Sequence, residues 1–531
     1  MIINKVRRSG RVPRLLVGGV CSAALVAGLA QPLTPASAAT RPGAATPQHG
    51  GTLNFLTASL QSNLAPTQTG PAEEDASVTG GAIYGYLGYL NDKTGAVELQ
   101  FLKSITPAKG NKTWTLVLHP GIKFSDGTPL DASAIAYTIQ QQSNPNSGDS
   151  NFATEKTWKT QVVNATTLKI TLPTGDAQFP AEMTQDFPYI GSPTAWKKEG
   201  ANFATKPVGA GPYMLQSWTQ NDQLTEVPNP YYKNFAPGEP YISKLVFTLA
   251  NQQSRSQYIS GMDSHQYQMG WLEGTKEFNE IRQSGYTVQG LTSSGGEFLL
   301  FNAAKAPFNN VLARRAVSDA LNHQELASIW SPGTAPFTNF YSPSSPYYNK
   351  ANNFGGQNPA EAAKLFAQLH KEGVNLNMDF VTVTGFANTA AYLQSTLDRY
   401  PGVHVTASLD NINSYIQSAR AGDFSIFAFG VNFVNPWPSV FNAFAKTGSG
   451  NFGKWNDPAT QKAVSIISQT RNPATLKKEY NIIANRVATQ DPFFASQGSQ
   501  LGLAWAKNVH NVQSVEFGVT PLMGQAWMSN S

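Results

Sequence analysis

A single hydrophobic core cannot organise all 531 residues of this chain, because such cores stop growing at roughly 250 to 300 residues. The length therefore predicts two or three domains. Hydrophobic residues make up 41% of the sequence and aromatic residues 11%, which is enough apolar material for large cores and unlike the composition of a disordered chain. We expect a globular protein with more than one core.

The first 38 residues have the pattern of a cleavable signal peptide. Basic residues precede an apolar run from Leu15 to Ala30, and the small residues at positions 36–38 fit a cleavage site. The run is shorter than the roughly 20 apolar residues that a transmembrane helix needs. We therefore predict export with cleavage after Ala38, followed by a flexible leader over residues 39–50, which are rich in Pro, Gly and Ala.

The charge balance argues against nucleic acid as a partner. The chain has 38 basic and 33 acidic residues, and the five bases of the signal peptide leave 33 of each sign in the mature protein. Cys21 is the single cysteine, so the mature protein cannot form a disulfide. The residues before Cys21 lack the pattern of a lipoprotein signal, and we do not expect lipid anchoring there.

Strand and helix signals alternate after Gly51 and predict a mixed α and β structure. Residues 113–118 and 167–172 have the β-branched and aromatic content of strands. Three helices are predicted: one that begins at the N-cap Asp131, one from Asn310 to about Ile329, and one from Pro359 to about Glu372. No repeat of roughly 20 to 50 residues is visible, which disfavours a solenoid or propeller.

The motifs of common enzymes and metal sites are missing. The seven histidines are dispersed, and no G-x-S-x-G element occurs. Residues 448–454 have the glycine and lysine spacing of a phosphate loop, but Trp455 stands where a Ser or Thr hydroxyl would hold Mg²⁺. We therefore predict no catalytic residue, no metal site and no cofactor, and a protein that is not an enzyme.

One block of the sequence closely resembles a signature of the extracellular solute-binding proteins of family 5, which serve peptide and nickel importers. The block runs from Trp114 to Thr128 (WTLVLHPGIKFSDGT). Further blocks similar to the family follow in its order: KPVGAGPY at 206–213, NPYY at 229–232, RRA at 314–316 and NFG at 451–453. The sequence is thereby identified as a member of this family.

The resemblance implies a two-lobed α/β fold of the periplasmic-binding-protein type (type II), in which the ligand lies between the lobes. It places two chain crossings near residues 292–297 and 492–500. It assigns lobe I to residues 51–86, 203–295 and 497–531, an inserted subdomain of lobe I to residues 87–202, and lobe II to residues 296–496.

The ligand site is also predicted by resemblance. Peptide-binding members carry a W-g-x-D-y-x-D-P segment with a carboxylate for the ligand's ammonium group, and here the stretch is FGVNFVNP at 429–436. Asn432 and Asn435 replace both acids, which favours a neutral, blocked or longer ligand because an amide lacks the charge. The predicted ligand-binding residues are Phe298, Phe429, Gly430, Asn432, Phe433, Asn435 and Trp437. The segment 297–302 is expected to offer backbone groups to an extended ligand, and alternatively the asparagines only stabilise a loop.

The resemblance implies the substrate-binding component of an ABC-type importer, which captures a peptide or peptide-like solute outside the cell and delivers it to a membrane permease. We expect a monomer. Two alternatives use the same cleft, an oligosaccharide or other neutral solute as the ligand and a sensor or chaperone role. A secreted peptide hydrolase is the alternative of a different class.

Overall fold

The computed structural model describes residues 46–57, 63–67, 74–91, 95–145, 147, 155–249, 255–292, 294–330, 335–433, 436–497, 500–515 and 520–529. The predicted signal peptide and the first part of the predicted leader lie outside the described residues. None of the described helices is long and apolar enough to cross a bilayer.

The first sheet has seven strands and contains the start of the described chain. Thr52–Thr57 lies inside this sheet, parallel to the strands on both of its sides. The order of the strands is Thr287–Thr292, Gln500–Trp505, Met269–Glu273, Thr52–Thr57, Lys244–Leu249, Gln223–Pro228 and Tyr213–Thr219. Strands from both halves of the chain therefore meet in one sheet.

The second sheet has five strands, all from residues 295–497. Gly295–Phe301 pairs antiparallel with a strand on each side. The order is Val403–Asp410, Leu376–Val383, Ile426–Asn432, Gly295–Phe301 and Phe493–Gln497. The two larger sheets belong to the two lobes of an α/β fold, as predicted.

A third sheet of four antiparallel strands lies within residues 102–171, in the order Leu102–Pro107, Thr113–Leu118, Thr167–Thr171 and Lys159–Asn164. Three pairs of short strands complete the described β structure: Gly88–Leu90 with Val97–Leu99, Val509–His510 with Trp527–Met528, and Ser514–Val515 with Thr520–Pro521. The two strands predicted near residues 113 and 167 are both present in the third sheet.

Helices cover the sheets and pack on their apolar faces. The described α-helices before residue 290 are Glu74–Tyr84, Ala132–Gln142, Phe179–Asp186, Pro193–Glu199, Arg255–Asp263 and Thr275–Gln283. Those after it are Val311–Ala320, His323–Trp330, Pro359–Lys371, Ala387–Leu397, Ile412–Ala421, Pro436–Phe444, Pro458–Ile467 and Pro473–Gln490. Short 3-10 turns lie at Gly200–Ala204, Tyr232–Asn234, Lys350–Asn352 and Thr384–Phe386.

All three predicted helices begin as expected, the one at Asn310 with that side chain accepting the Leu312 N–H at 2.9 Å. The Asp131 carboxylate accepts hydrogen bonds from the backbone N–H groups of Ser133 and Ala134, which caps Ala132–Gln142. The Asn358 side chain accepts from the Glu361 N–H at 3.2 Å and caps Pro359–Lys371. These helix starts follow from local chemistry, since the capping residue and the capped N–H groups lie within one turn.

The third helix was predicted wrongly as one continuous element from Asn310 to about Ile329. The structure has two helices there, because Leu321 adopts an extended conformation. The Asn322 side chain then caps the second helix through the N–H groups of Gln324 and Glu325. The Tyr392 hydroxyl accepts the Asn322 N–H at 2.8 Å, so a distant residue satisfies the donor that a continuous helix would have used.

Each sheet packs on a hydrophobic cluster of its own, as the chain length predicted. Leu53, Phe55 and Leu245 lie in the cluster of the first sheet, and Phe366 and Phe380 lie in that of the second. Another cluster packs against the third sheet and contains Trp114, Phe124, Ile135 and Leu168. A fourth cluster, rich in aromatic residues, lies on the second lobe and is described below.

Candidate functional site

The chain passes between the two larger sheets at two crossings. The first lies between Thr292 of the first sheet and Gly295 of the second, and the other lies between Gln497 and Gln500. Both crossings meet at Gly295–Phe301, because this strand begins at one crossing and pairs with Phe493–Gln497, which ends at the other. Residues near 295 therefore lie where the two lobes join. The exact domain boundaries along the chain stay a prediction.

The first crossing is held in place by backbone contacts. The Phe433 N–H donates to the carbonyl of Ser294 at 2.6 Å, and the Ser342 N–H donates to the Ser294 hydroxyl at 3.0 Å. Gly295 has a φ of 91°, and a Cβ added there would lie 2.2 Å from the carbonyl oxygen of Val431. Only glycine fits this close approach without moving the backbone.

Gly295→Ala should therefore lower the free energy of unfolding by about 2–4 kcal/mol, because it adds both backbone strain and a clash with main chain. Gly356 is the matched control, since a Cβ there would meet nothing within 4 Å. Urea unfolding of both variants checks the expectation. An equal effect of the two substitutions would contradict the close approach at Gly295.

The Glu297 carboxylate lies next to the first crossing, and the residue beside it on the neighbouring strand is a glycine. Glu297 pairs with Gly430 across the strands, and a Cβ added at Gly430 would lie 2.8 Å from a Glu297 carboxylate oxygen. Burial, together with the negative charge of Glu273 on the first sheet, raises the pKa of Glu297 to about 7. A carboxylate that titrates near neutral pH thus lies at the junction of the lobes.

Three of the predicted ligand-binding residues are buried in the aromatic cluster of the second lobe. Phe298, Phe433 and Trp437 are 2%, 1% and 3% exposed. The ring of Phe298 lies 4.3 Å from that of Phe493, and Phe433 lies 4.6 Å from Phe340. These side chains stabilise the core in this structure, and direct contact with a ligand stays a prediction.

The other residues predicted to bind the ligand lie closer to the surface, or outside the residues that the structure describes. Phe429 is half-buried and packs edge-to-face on Phe452 at 5.2 Å, while Gly430 is exposed. The backbone of Asn432 pairs with Gly295 at the first crossing. The side chain of Asn432 and the whole of Asn435 lie outside the described residues, so the predicted role of the two amides stays untested.

A second contact joins residues 175–178, before helix Phe179–Asp186, to residues 467–470 of the second lobe. The Ala177 N–H donates to the Ser468 carbonyl at 2.6 Å. The Gln469 side-chain amide donates to the Gly175 carbonyl, also at 2.6 Å. The Gln178 amide donates to the carbonyl of Thr470. Main-chain and neutral amide groups form these hydrogen bonds, which join a segment that follows the third sheet to the second lobe, away from the crossings.

Carboxyl groups lie beside this second contact. Burial raises the pKa of Asp176 to about 6, although hydrogen bonds from the Gln178 backbone and the Trp437 side chain lower it. Burial and the charges of Asp186 and Asp176 raise the pKa of Glu182 well above its ordinary value. Among the predicted ligand-binding residues, Trp437 thus has a neighbour at this contact in the described structure, namely Asp176.

Metal and phosphate chemistry find no support in the described residues. Within the ranges that the structure describes, no group of three or more His, Cys, Asp or Glu side chains could hold a metal ion. The loop with phosphate-loop spacing is a turn in which the Asn451 side chain bonds the Ala445 carbonyl and both backbone groups of Trp455. A network of protein hydrogen bonds therefore occupies the polar groups of that loop.

Sequence reasoning missed the side chain of Glu297 and the carboxyl groups at the second contact. It expected only backbone groups from the segment 297–302. The signal for Glu297 was present as an isolated acid in the otherwise apolar strand GGEFLLF. Asp176, Glu182 and Asp186 lie close together in sequence, but the residues at 467–470 that meet them at the second contact are far away in sequence.

Comparison with known proteins assigns these features to a family. The model of the bacterial extracellular solute-binding proteins, family 5, matches residues 96–453. The probable D,D-dipeptide-binding periplasmic protein DdpA of Escherichia coli (strain K12) is 28% identical over 240 residues, which cover 44% of this chain and 45% of that protein. The glutathione-binding protein GsiB of Salmonella typhimurium is 26% identical over 289 residues, or 52% of this chain and 54% of that protein. The chain thus spans about half the length of the curated relatives it matches.

The fold is also that of a solved binding protein. The oligopeptide-binding protein AppA of Bacillus subtilis, solved in complex with a nonapeptide, superposes with a TM-score of 0.73 at 16% identity. The likeness covers 91% of this chain and 100% of AppA. At this identity the comparison concerns the fold alone, and it confirms the predicted two-lobed architecture.

Proposed function

The chain belongs to the bacterial extracellular solute-binding proteins of family 5, and on that premise we propose that it is the substrate-binding component of an ABC-type importer. The family is one of solute-binding proteins rather than enzymes. In our proposal the protein captures a peptide or peptide-like solute between its lobes, outside the cytoplasmic membrane, and delivers it to a membrane permease. The export signal and the monomeric state stay predictions.

The observation that carries this proposal is the pair of crossings between the two large sheets. Two crossings allow the lobes to open and close as rigid bodies, and closure around a solute removes water from it. The second contact, between residues 175–178 and 467–470, joins surfaces that such a motion would bring together. Binding would then change the shape that a permease meets.

Peptides are the proposed ligand class because two relatives point in that direction. DdpA is described as a binder of D,D-dipeptides and GsiB as a binder of glutathione. Both ligands are small and carry amide bonds. On the side away from Gly295–Phe301, the strand Ile426–Asn432 is paired only at Ile426 and Phe427, so the backbone near the exposed Gly430 is placed to offer main-chain groups to such bonds.

Calorimetric titration of the purified protein tests the proposal. Libraries of di- to pentapeptides should bind, and neutral oligosaccharides should not. Binding restricted to the oligosaccharides would contradict the peptide proposal and favour the neutral-solute alternative. Turnover of the peptides during the titration would instead favour a secreted hydrolase.

A further inference from the structure

Glu297 lies in the second lobe, next to both crossings. It lies on the strand that begins at the first crossing and pairs with the strand that ends at the second. Its pairing partner Gly430 has no side chain and is exposed. The carboxylate therefore lies over the Gly430 backbone, where no side chain covers it, at the junction of the two lobes.

No hydrogen bond or ion pair to the Glu297 carboxylate is formed by any residue that the structure describes. The two strands that flank it carry no ionisable side chain. Tyr415, on helix Ile412–Ala421, and Glu273, at the end of a first-lobe strand, are the ionisable groups that face it. Arg420, the other ionisable residue of that helix, is exposed. Among the residues that the structure describes, Glu297 thus has negative and neutral neighbours and no cation.

A positively charged partner would stabilise the ionised form of such a half-buried carboxylate. Partial burial disfavours the ionised form, and the nearby Glu273 disfavours it further. A cation between the two carboxylates would be attracted to both. Because one carboxylate comes from each lobe, such a cation would also favour the closed arrangement.

We propose that Glu297 binds a positively charged amino group of the ligand and thereby selects solutes that carry one. This inference rests on the proposed function, since it names the substrate class of the same cleft. The group is an ammonium, either at a peptide's amino terminus or on a lysine side chain. The carboxylate of Glu297 thus supplies the charge that Asn432 and Asn435 lack, and the expected ligand is cationic rather than neutral.

The proposal has a pH signature with a definite sign. An ammonium binds the ionised carboxylate, so below the pKa of Glu297 binding must first displace a proton. With a pKa of about 7, affinity should fall by roughly 20-fold between about pH 7.5 and about pH 5.5. Glu297→Gln should remove this dependence, since an amide does not titrate in this range.

The experiment compares three peptide libraries of two to five residues by calorimetric titration. The first has free amino termini, the second is N-acetylated, and the third is N-acetylated with lysine at the first position. The wild type should bind the first or the third library roughly 10- to 100-fold more tightly than the second. Tight binding of the first library would identify the amino terminus as the source of the ammonium, and tight binding of the third would identify the lysine side chain.

Glu297→Gln should reduce that preference to within about twofold. The matched control is Glu280→Gln, whose side chain on helix Thr275–Gln283 is 41% exposed, and it should leave the preference unchanged. A thermal unfolding curve establishes that each variant is folded. Equal binding of all three libraries by the wild type, or an unchanged preference in Glu297→Gln, would overturn the inference and leave peptide capture intact. Failure of every library to bind would contradict the proposed function itself.

Discussion

Replacing Glu226 with glutamine should stabilise the protein at neutral pH, and this gain should grow as the pH rises. Glu226 lies on a strand of the first sheet and is 0% exposed. Neither carboxyl oxygen has a hydrogen-bond partner among the described residues. Burial therefore raises the pKa of this carboxyl well above its ordinary value, and the folded protein holds it protonated at a pH where the unfolded chain would ionise it.

The pH dependence of this effect has a fixed sign. The folded pKa lies above the unfolded value of 4.5, so the contribution to stability is fully present below about pH 4.5 and declines as the pH rises. The decline is about 1.4 kcal/mol for each pH unit over which the carboxyl stays protonated in the folded protein. Glu226→Gln does not titrate and should gain stability over the wild type as the pH increases.

Urea unfolding at about pH 4 and about pH 7 measures both parts of the prediction. The free energies of unfolding of the two proteins should differ little at the lower pH, and Glu226→Gln should be the more stable protein at the higher pH. Glu280→Gln, whose side chain is 41% exposed, serves as the control and should change stability by no more than about 0.5 kcal/mol at either pH. A wild type that is more stable than Glu226→Gln at neutral pH would show that the carboxyl has a stabilising partner.

The second large effect is expected at Asp457, which joins two helices of the second lobe. Asp457 caps helix Pro458–Ile467 through the Thr460 N–H at 2.9 Å. It also accepts three hydrogen bonds from Arg486 of helix Pro473–Gln490, the shortest at 2.6 Å between Nη2 and Oδ1. Asp457→Ala removes the cap and the ion pair together, and should cost about 2–4 kcal/mol.

The expected loss of stability in Asp457→Ala is smaller than for a fully buried ion pair, because Arg486 is 32% exposed and can regain water. Burial opposes ionisation of Asp457, but the hydrogen bonds from Arg486 and Thr460 lower its pKa below the ordinary value. This contribution is therefore present above the unfolded pKa of 3.8 and is lost as the pH falls. Its sign is opposite to that of Glu226.

A double-mutant cycle separates the cap from the ion pair. Arg486→Gln should cost less than Asp457→Ala, because the cap to Thr460 remains. Urea unfolding of the two single variants and the double variant at neutral pH gives the coupling energy. Full additivity of the two substitutions would show that the ion pair contributes nothing to stability.

Local signals predicted much of the fold. The cap at Asp131 and the strand Thr113–Leu118 depend on residues a few positions apart, so their chemistry is visible along the chain. The helix predicted from Asn310 to Ile329 was wrong because its interruption depends on Tyr392 and on Gln357, whose amide donates to the Ala320 carbonyl at 3.0 Å. Neither partner is near in sequence.

The candidate site shows the same division. The sequence blocks predicted the family, which is confirmed, and a ligand site at residues 429–436, which stays a prediction. They could not show that Phe298, Phe433 and Trp437 are buried in an aromatic cluster. Burial of an aromatic ring depends on which other rings surround it, and these come from several separate segments. The carboxylate at Glu297 was overlooked because its open neighbour Gly430 lies on another strand.

By itself, the sequence determined that the chain needs several cores, where many helices and strands begin, and which family its motifs resemble. These properties depend on length, on composition and on contacts within a few residues. Only the tertiary structure decided which carboxyl groups lack a partner, where the two crossings meet, and which side chains lie between the lobes. Desolvation and charge depend on distances through space, and segments far apart in sequence set those distances.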